Sequence, residues 1–224
     1  MLKINIITLF PNLISNFLNE LPLKRAITNN IVNINIVDLK KYAINSYGSV
    51  DSKPYGGGVG MVLRIEPIYN ALIDIHQDIM GKDFDDSKNS IILLSPKGTK
   101  YNQQTAKNFA NKNSITLISG RYEGIDARVE KLCTNIISIG DYVLSGGELP
   151  SLVIMESVVR LLPGVLPKPD ATQLESFEDD FLEFPQYTRP KEFMGYEVPK
   201  ILLSGDHKKI LNWKKENSKK VTKD

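Results

Sequence analysis

Cysteine is nearly absent from this chain: Cys133 is the only one. An internal disulfide is therefore excluded, which fits a reducing compartment. The two histidines, His76 and His207, are both far from Cys133 in sequence, so the thiol reads as a small core residue, not a nucleophile. One cysteine and two histidines also argue against a zinc site, and no metal-ligand set is expected. No apolar run reaches membrane-spanning length. The first eight residues, MLKINIIT, lack an apolar core followed by a small-residue cleavage site, so they read as a strand and not a signal peptide. A cytoplasmic protein with no membrane partner is expected. Charge of one sign is lacking too: the net +2 by itself points to no class of partner.

What is present is ordinary in amount and uneven in arrangement. Hydrophobic residues make up 42% and charged residues 24% of 224 residues, enough for one large domain or one domain plus a small one. From Ser204 to Asp224 seven lysines face three acids, a local +4 that leaves −2 for the rest. With Trp213 among them, the lysines suit a polyanion, with cations on phosphates and an aromatic for stacking. On charge alone a solvated terminal helix reads the same residues somewhat better.

Strand-like and helix-like segments alternate. Strands are expected at Ile4–Leu9, Val32–Val37, Ile91–Leu94, Ile115–Ile118 and Ile136–Ile139. Helices are expected at Pro11–Leu18, Leu23–Asn29, Glu66–Met80, Asn102–Asn111, Ile125–Leu132, Leu149–Leu162 and His207–Ser218. Pro163-Gly164 stops the Leu149 helix, whose apolar stripe reads as Leu152, Met155, Val159 and Leu162. Val165 to Gln173, with two prolines, reads as an extended linker, and a domain boundary is expected near residue 165. No internal repeat or low-complexity tract interrupts the chain.

Three of the apolar strands end in unusual loops: Ser95–Gly98, Ser119–Gly124 and the stretch Ile139–Glu148, IGDYVLSGGE. This pattern predicts an α/β fold with a mostly parallel sheet covered on both faces. The three loops would then share one edge and form one crevice, the usual ligand position in such folds. A fourth glycine-rich loop, Tyr42–Met61, carries PYGGGVGM, and its Pro54, Tyr55 and Met61 are odd in a simple linker. Arg160 stands four residues after Glu156, the favourable order for a surface ion pair. Glu175 opens an acidic run, Glu175–Glu183, that reads as solvated linker.

Taken together and in order, PYGGG at 54–58, LSP at 94–96, GRYEGID at 120–126, SIGDYVLSGGELP at 138–150, PGV at 163–165, YTRP at 187–190 and LLSG at 202–205 resemble the bacterial tRNA (guanine-N1)-methyltransferases, the TrmD family of the SPOUT superfamily. The resemblance runs from Met1 to about Trp213; the chain ends sooner after it than many members do, which implies a trimmed terminal helical domain. It implies a deep trefoil knot at the C-terminal side of the sheet, a feature no pattern rule would suggest. It implies a knotted catalytic domain over 1–165, a linker over 166–186 and a small helical tRNA-binding domain over 187–224. It also implies a homodimer with shared active sites that methylates N1 of the guanine 3′ of the anticodon. The methyl donor would be S-adenosyl-L-methionine, the product S-adenosyl-L-homocysteine, the RNA partner the tRNA anticodon stem-loop, and Mg²⁺ is compatible with the family.

The resemblance assigns cofactor contacts to Leu94, Ser95, Pro96, Gly120, Tyr122, Glu123, Gly124, Ile139, Gly140, Asp141, Tyr142, Val143, Leu144, Gly146 and Gly147. It makes Arg160 the cation that stabilises charge on guanine O6 and Glu175 the base for the N1 proton, in a slot where the family usually has aspartate. Asp170 is the fallback base. It gives the loop at Gly56–Gly60 the task of closing over the target base, with Asp51 nearby, and it leaves Asp141 and Glu148 out of catalysis.

Overall fold

The computed structural model describes residues 1–77, 79, 84–167, 175–177 and 181–220. They divide into two compact units, Met1–Leu166 and Pro167–Asp224.

The first unit is built on a five-stranded sheet in which every pairing is parallel. Its strands are β1 (Leu2–Thr8), β2 (Val32–Asp38), β5 (Asn89–Lys100), β6 (Ser114–Ile118) and β7 (Asn135–Ser138). Spatial order is β2-β1-β6-β5-β7. The chain thus returns beside β1 with β6, then passes over β5 to the far edge with β7. The pairing direction reverses at β5, and ligands in open α/β sheets bind beyond the strand ends at such a reversal. A two-stranded ribbon, β3 (Asp51–Ser52) with β4 (Val62–Leu63), flanks the sheet and carries the glycine-rich loop at its tip.

Alternation along the central strands fills both faces. Ile4, Ile6, Ile92, Leu94, Ile115, Leu117 and Ile137 point to one side. They meet α1 (Pro11–Phe17), α2 (Leu23–Thr28), α4 (Gln103–Ala110) and α5 (Glu148–Val159). Ile7, Ile91, Leu93 and Ile118 point to the other side, against α3 (Ile65–His76) and Val129. Each fully buried Ile, Leu or Val on these faces contributes about 1.5–3 kcal/mol. The α3 face also holds a polar chain: Asn35 donates to Asn5 at 3.3 Å, Asn5 donates to Thr116 Oγ1 at 3.1 Å, and His76 Nε2 lies 2.9 Å from the same hydroxyl.

Several expectations need correcting. The strand expected at Ile91–Leu94 runs on through Lys100, because after Ser95–Gly98 loops out the chain pairs with β7 again, Thr99 opposite Ile137. Gly98 allows this: a Cβ there would sit 2.5 Å from the Ile136 carbonyl carbon. Ile125–Leu132 is not an α-helix but a 3₁₀ turn over Ala127–Leu132, capped by the Asp126 carboxylate on Arg128 N–H, with only Val129 buried. The helix expected to reach Met80 stops at His76, where Gln77 turns left-handed at φ 64°. The buried stripe of α5 is Ser151, Ile154, Met155, Val158 and Val159; Leu152 and Leu162 are only partly covered.

The second unit contains a short hairpin, β9 (Glu192–Phe193) with β10 (Tyr196–Glu197), and a pairing of β8 (Phe181–Leu182) with β11 (Lys219–Lys220). Its helix α6 (His207–Asn217) is capped by Asp206, which accepts from Lys209 N–H at 3.1 Å. Among the described residues no helix is long and apolar enough to cross a membrane.

Candidate active site

The three loops do come together. Gly147 N–H donates to Gly120 O at 2.8 Å, and Arg121 and Gly146 form an isolated antiparallel bridge. Arg121 also donates from its guanidinium to Ser145 O at 3.3 Å. Gly147 is required by contact: a Cβ there would lie 2.6 Å from Ser119 Cα and 2.8 Å from Gly120 N. The loop after β6 is bonded on its other flank to β4, with Glu123 N–H on Met61 O, Leu63 N–H on Gly124 O and Asp126 N–H on Leu63 O. Tyr122, in its middle, holds a left-handed φ of 60°, a conformation that non-glycine residues adopt rarely and mostly where surroundings enforce it. After β7, the Ser138 hydroxyl donates to Gly140 O and accepts from Gly140 N–H, closing a tight turn.

Between these loops lies a cavity of about 340 Å³. That is within the range for small-molecule and cofactor sites. It is lined by Leu94, Ser95, Pro96, Gly120, Tyr122, Glu123, Gly124, Ile139, Gly140, Tyr142, Val143, Leu144, Gly146 and Gly147, every residue the sequence proposed for cofactor contact except Asp141. Asp141 turns to solvent and pairs with Lys100, because its position between Gly140 and Tyr142 points outward from the turn. Arg121 and Ser145 lie within the loops expected to form the crevice but outside the cofactor-contact set, and Leu93, Lys97, Ile125, Glu130, Ile137, Ser138 and Pro150 line the cavity without having been expected there. Arg121 stands inside the GRYEG motif and was open to discovery; Glu130 is brought in by the unexpected 3₁₀ turn.

The walls suit a nucleoside cofactor with a charged tail. Leu94, Pro96, Ile137 and Leu144 give apolar surface, and Gly120, Gly140 and Gly147 bring bare backbone within reach of heteroatoms. Glu123 and Glu130 place carboxylates at the rim, complementary to a cation.

Behind the cavity, Glu148 is 1% exposed at the start of α5. Its carboxylate accepts from the Thr8 hydroxyl at 2.8 Å and from Arg121 Nε at 2.9 Å. Arg121 lies over the Phe10 ring, 4.5 Å from the centroid. A buried carboxylate of this kind is tolerated only when paired and hydrogen-bonded. Cys133 is packed as expected of a core thiol: it donates to Val129 O at 3.2 Å, and burial, then the Glu130 carboxylate, pushes it up to about 12.

Arg160 closes α5 as its C-terminal cap residue, its N–H on Glu156 O at 3.1 Å. Glu175 belongs to the second unit, is partly buried, and precedes Phe177, which is left-handed at φ 71°. Asp170 and most of the expected extended linker lie outside the described residues. In the second unit, Tyr187 meets Trp213 edge to face at 6.3 Å, and Lys214 Nζ sits 4.6 Å over the Phe184 ring. An aromatic face bordered by the lysines of α6 results.

Comparison with known proteins agrees with this geometry. The family model described as tRNA (Guanine-1)-methyltransferase TrmD matches residues 2–224. The chain is 43% identical over 224 residues to the tRNA (guanine-N(1)-)-methyltransferase of Clostridioides difficile strain 630, covering all of this chain and 95% of that protein. It is 45% identical over 222 residues to the Dictyoglomus turgidum protein of the same name, covering 99% and 87%. The Mycoplasmopsis agalactiae protein of that name is 46% identical over 222 residues, covering 99% and 93%. With its whole length matched and its motifs gathered around one cavity, the chain belongs to the tRNA (guanine-1)-methyltransferase TrmD family.

Proposed function

We propose that this protein transfers the methyl group of S-adenosyl-L-methionine to N1 of the guanine 3′ of the anticodon in tRNA, releasing S-adenosyl-L-homocysteine. The observation that carries this reading is the cavity at the ends of β5, β6 and β7, walled by the GRYEG and IGDYVLSGG segments. When bound there, the cofactor supplies an electrophilic methyl on a sulfonium.

The residues of the chain do the rest. Neutral guanine carries a proton on N1 and is a poor nucleophile until that proton leaves. Glu175 takes it as general base. Negative charge then spreads to O6, where the Arg160 guanidinium stabilises it. Gly120, Gly140 and Gly147 would hold the donor, whose S–methyl bond would be the one broken as N1 takes the methyl, leaving a neutral thioether. Holding N1 in line with that bond is the remaining contribution, and it comes from positioning. The tip of the β3–β4 ribbon, Gly56–Gly60, covers the target base; its backbone link to the loop after β6 through Met61 and Leu63 supports this.

The trefoil knot belongs to the same reading. It is supported by the passage of β7 over β5 to the sheet edge and by the close contact of Gly98 with Ile136. The homodimer is supported by α5, which leaves Leu149 and Val153 60% and 46% exposed on a helix whose other side is fully buried. Exposed apolar side chains grouped on one helix face are commonly covered by a partner. Lysines of α6 beside Trp213 and Tyr187 fit the anticodon stem-loop, with cations on phosphates and rings on unstacked bases.

Nucleoside digestion of a tRNA transcript methylated by the protein tests the proposal. N1-methylguanosine is the expected product. A 2′-O-methylribose product would move the protein to a different reaction on the same fold.

A further inference from the structure

Glu148 takes no part in the chemistry above, yet it is among the most buried charges in the first unit. It begins α5, immediately after the loop that forms one cavity wall, and helix N-termini favour negative charge. One carboxylate oxygen holds Thr8 at the end of β1; the other holds Arg121 in the loop after β6. The Arg121 guanidinium reaches back to Ser145 O in the facing loop, while the Arg121 backbone pairs separately with Gly146, so side chain and main chain of one residue both tie the loop after β6 to the other wall. Phe10 fixes the guanidinium plane from the far side. Thr8 is itself held, since its hydroxyl accepts from Phe10 N–H at 2.9 Å. The network is closed: each side chain is oriented by the next, and its two ends rest on sheet and helix.

We propose that Glu148 and Arg121 are a positioning pair that sets the spacing of the two loops that hold the methyl donor. The inference rests on the cofactor reading of this cavity. The carboxylate touches neither donor nor guanine. It acts through Arg121, whose planar fork, held on Glu148, keeps the Ser145 carbonyl against the loop after β6. Loss of the charge leaves the strands and helices in place but lets the loops separate, which weakens cofactor binding and spares the methyl-transfer step once the site is filled.

The test uses the full-length protein and S-adenosyl-L-methionine. Glu148→Gln keeps the volume and an acceptor for Thr8 but removes the ion pair. Its Kd and KM for the donor are expected to rise roughly tenfold, with kcat at saturating donor within about threefold of the unsubstituted protein. Arg121→Gln is expected to raise Kd similarly, and the double variant to be no worse than the weaker single one, because both remove the same interaction. Arg121→Lys keeps the charge without the fork; an intermediate Kd is expected, and this surface-reaching change keeps the test open where Glu148→Gln fails to fold. Donor affinity equal to the unsubstituted protein, at a temperature where the variant is folded, overturns the proposal even where its Tm is lower. A simple additive loss in the double variant also overturns it. Failure of the unsubstituted protein itself to bind the donor would instead remove the functional reading on which the pair depends.

Discussion

Gly147→Ala is the sharpest structural perturbation of the cavity. The added Cβ would lie 2.6 Å from Ser119 Cα, 2.8 Å from Gly120 N and 3.0 Å from Ser119 C, all backbone atoms that cannot swing aside. Gly147 has φ −84°, so an alanine there carries no backbone strain and the whole effect is steric. To restore an ordinary 3.4 Å contact the two loops must separate by roughly 0.8 Å. Overpacking of this kind costs about 1–3 kcal/mol. Stretching the Gly147 N–H to Gly120 O bond of 2.8 Å adds to it. For about 2 kcal/mol in a chain of this size, Tm falls by about 4–8 °C. Misplacement by close to 1 Å can cost about a hundredfold in rate, and donor affinity should drop by roughly tenfold. Calorimetric titration with S-adenosyl-L-methionine, paired with a thermal melt, reads both. Unchanged affinity and unchanged Tm would refute the claim that these two backbones are in obligatory contact at the cofactor site.

Other expectations are equally specific. Arg160→Ala should lower kcat by about 10²–10³-fold in a single-turnover assay, with donor affinity within about twofold; parallel loss of both contradicts its placement at O6. Glu175→Gln should flatten the rise of methyl-transfer rate with pH, and an unaltered profile would assign the proton to another base. His76 gives stability a pH dependence. Burial lowers its pKa from 6.5 in the fold, so the native state prefers the neutral ring bonded to Thr116. Below that value the unfolded chain gains a proton that the native state resists. Its contribution is therefore complete above about pH 6.5 and declines as pH falls toward the folded-state value. Urea melts at pH 7.5 and 5.5 should show this decline, reduced in His76→Gln; an identical decline in the variant would place the titration elsewhere.

Much of this architecture is legible in local sequence because the parallel strands are continuous apolar runs. Ile91–Leu94 and Ile115–Ile118 announce themselves, and the glycines that follow mark where backbone must approach something closely. The continuation of β5 to Lys100 is not legible, since Pro96 and Gly98 argue against a strand and only renewed pairing with β7 overrides them. The 3₁₀ turn at Ala127–Leu132 is hidden because Ile125, Val129 and Leu132 fit helical spacing, while a single fully buried contact at Val129 and the Asp126 cap decide the outcome. Glu148 is the clearest failure of local reading. Charged side chains belong on the surface by default, and this one is buried only because partners 27 and 140 residues away in sequence converge on it. Asp141 fails in the opposite sense: it lies within the right loop, but the turn directs its carboxylate to Lys100 and solvent. The stripe on α5 was displaced for a related reason. Apolar and polar residues fall on every side of it, and its buried side even includes Glu148 and Ser151, so spacing cannot say which side meets the sheet.

The most direct measurement is methyl transfer from labelled S-adenosyl-L-methionine to two tRNA transcripts that differ only at the position 3′ of the anticodon. Guanine there should accept one methyl per tRNA, recovered as N1-methylguanosine, and adenine there should accept none. Equal labelling of both transcripts, or label recovered on a ribose hydroxyl, would contradict the assignment of this cavity and of Arg160 and Glu175 to guanine N1.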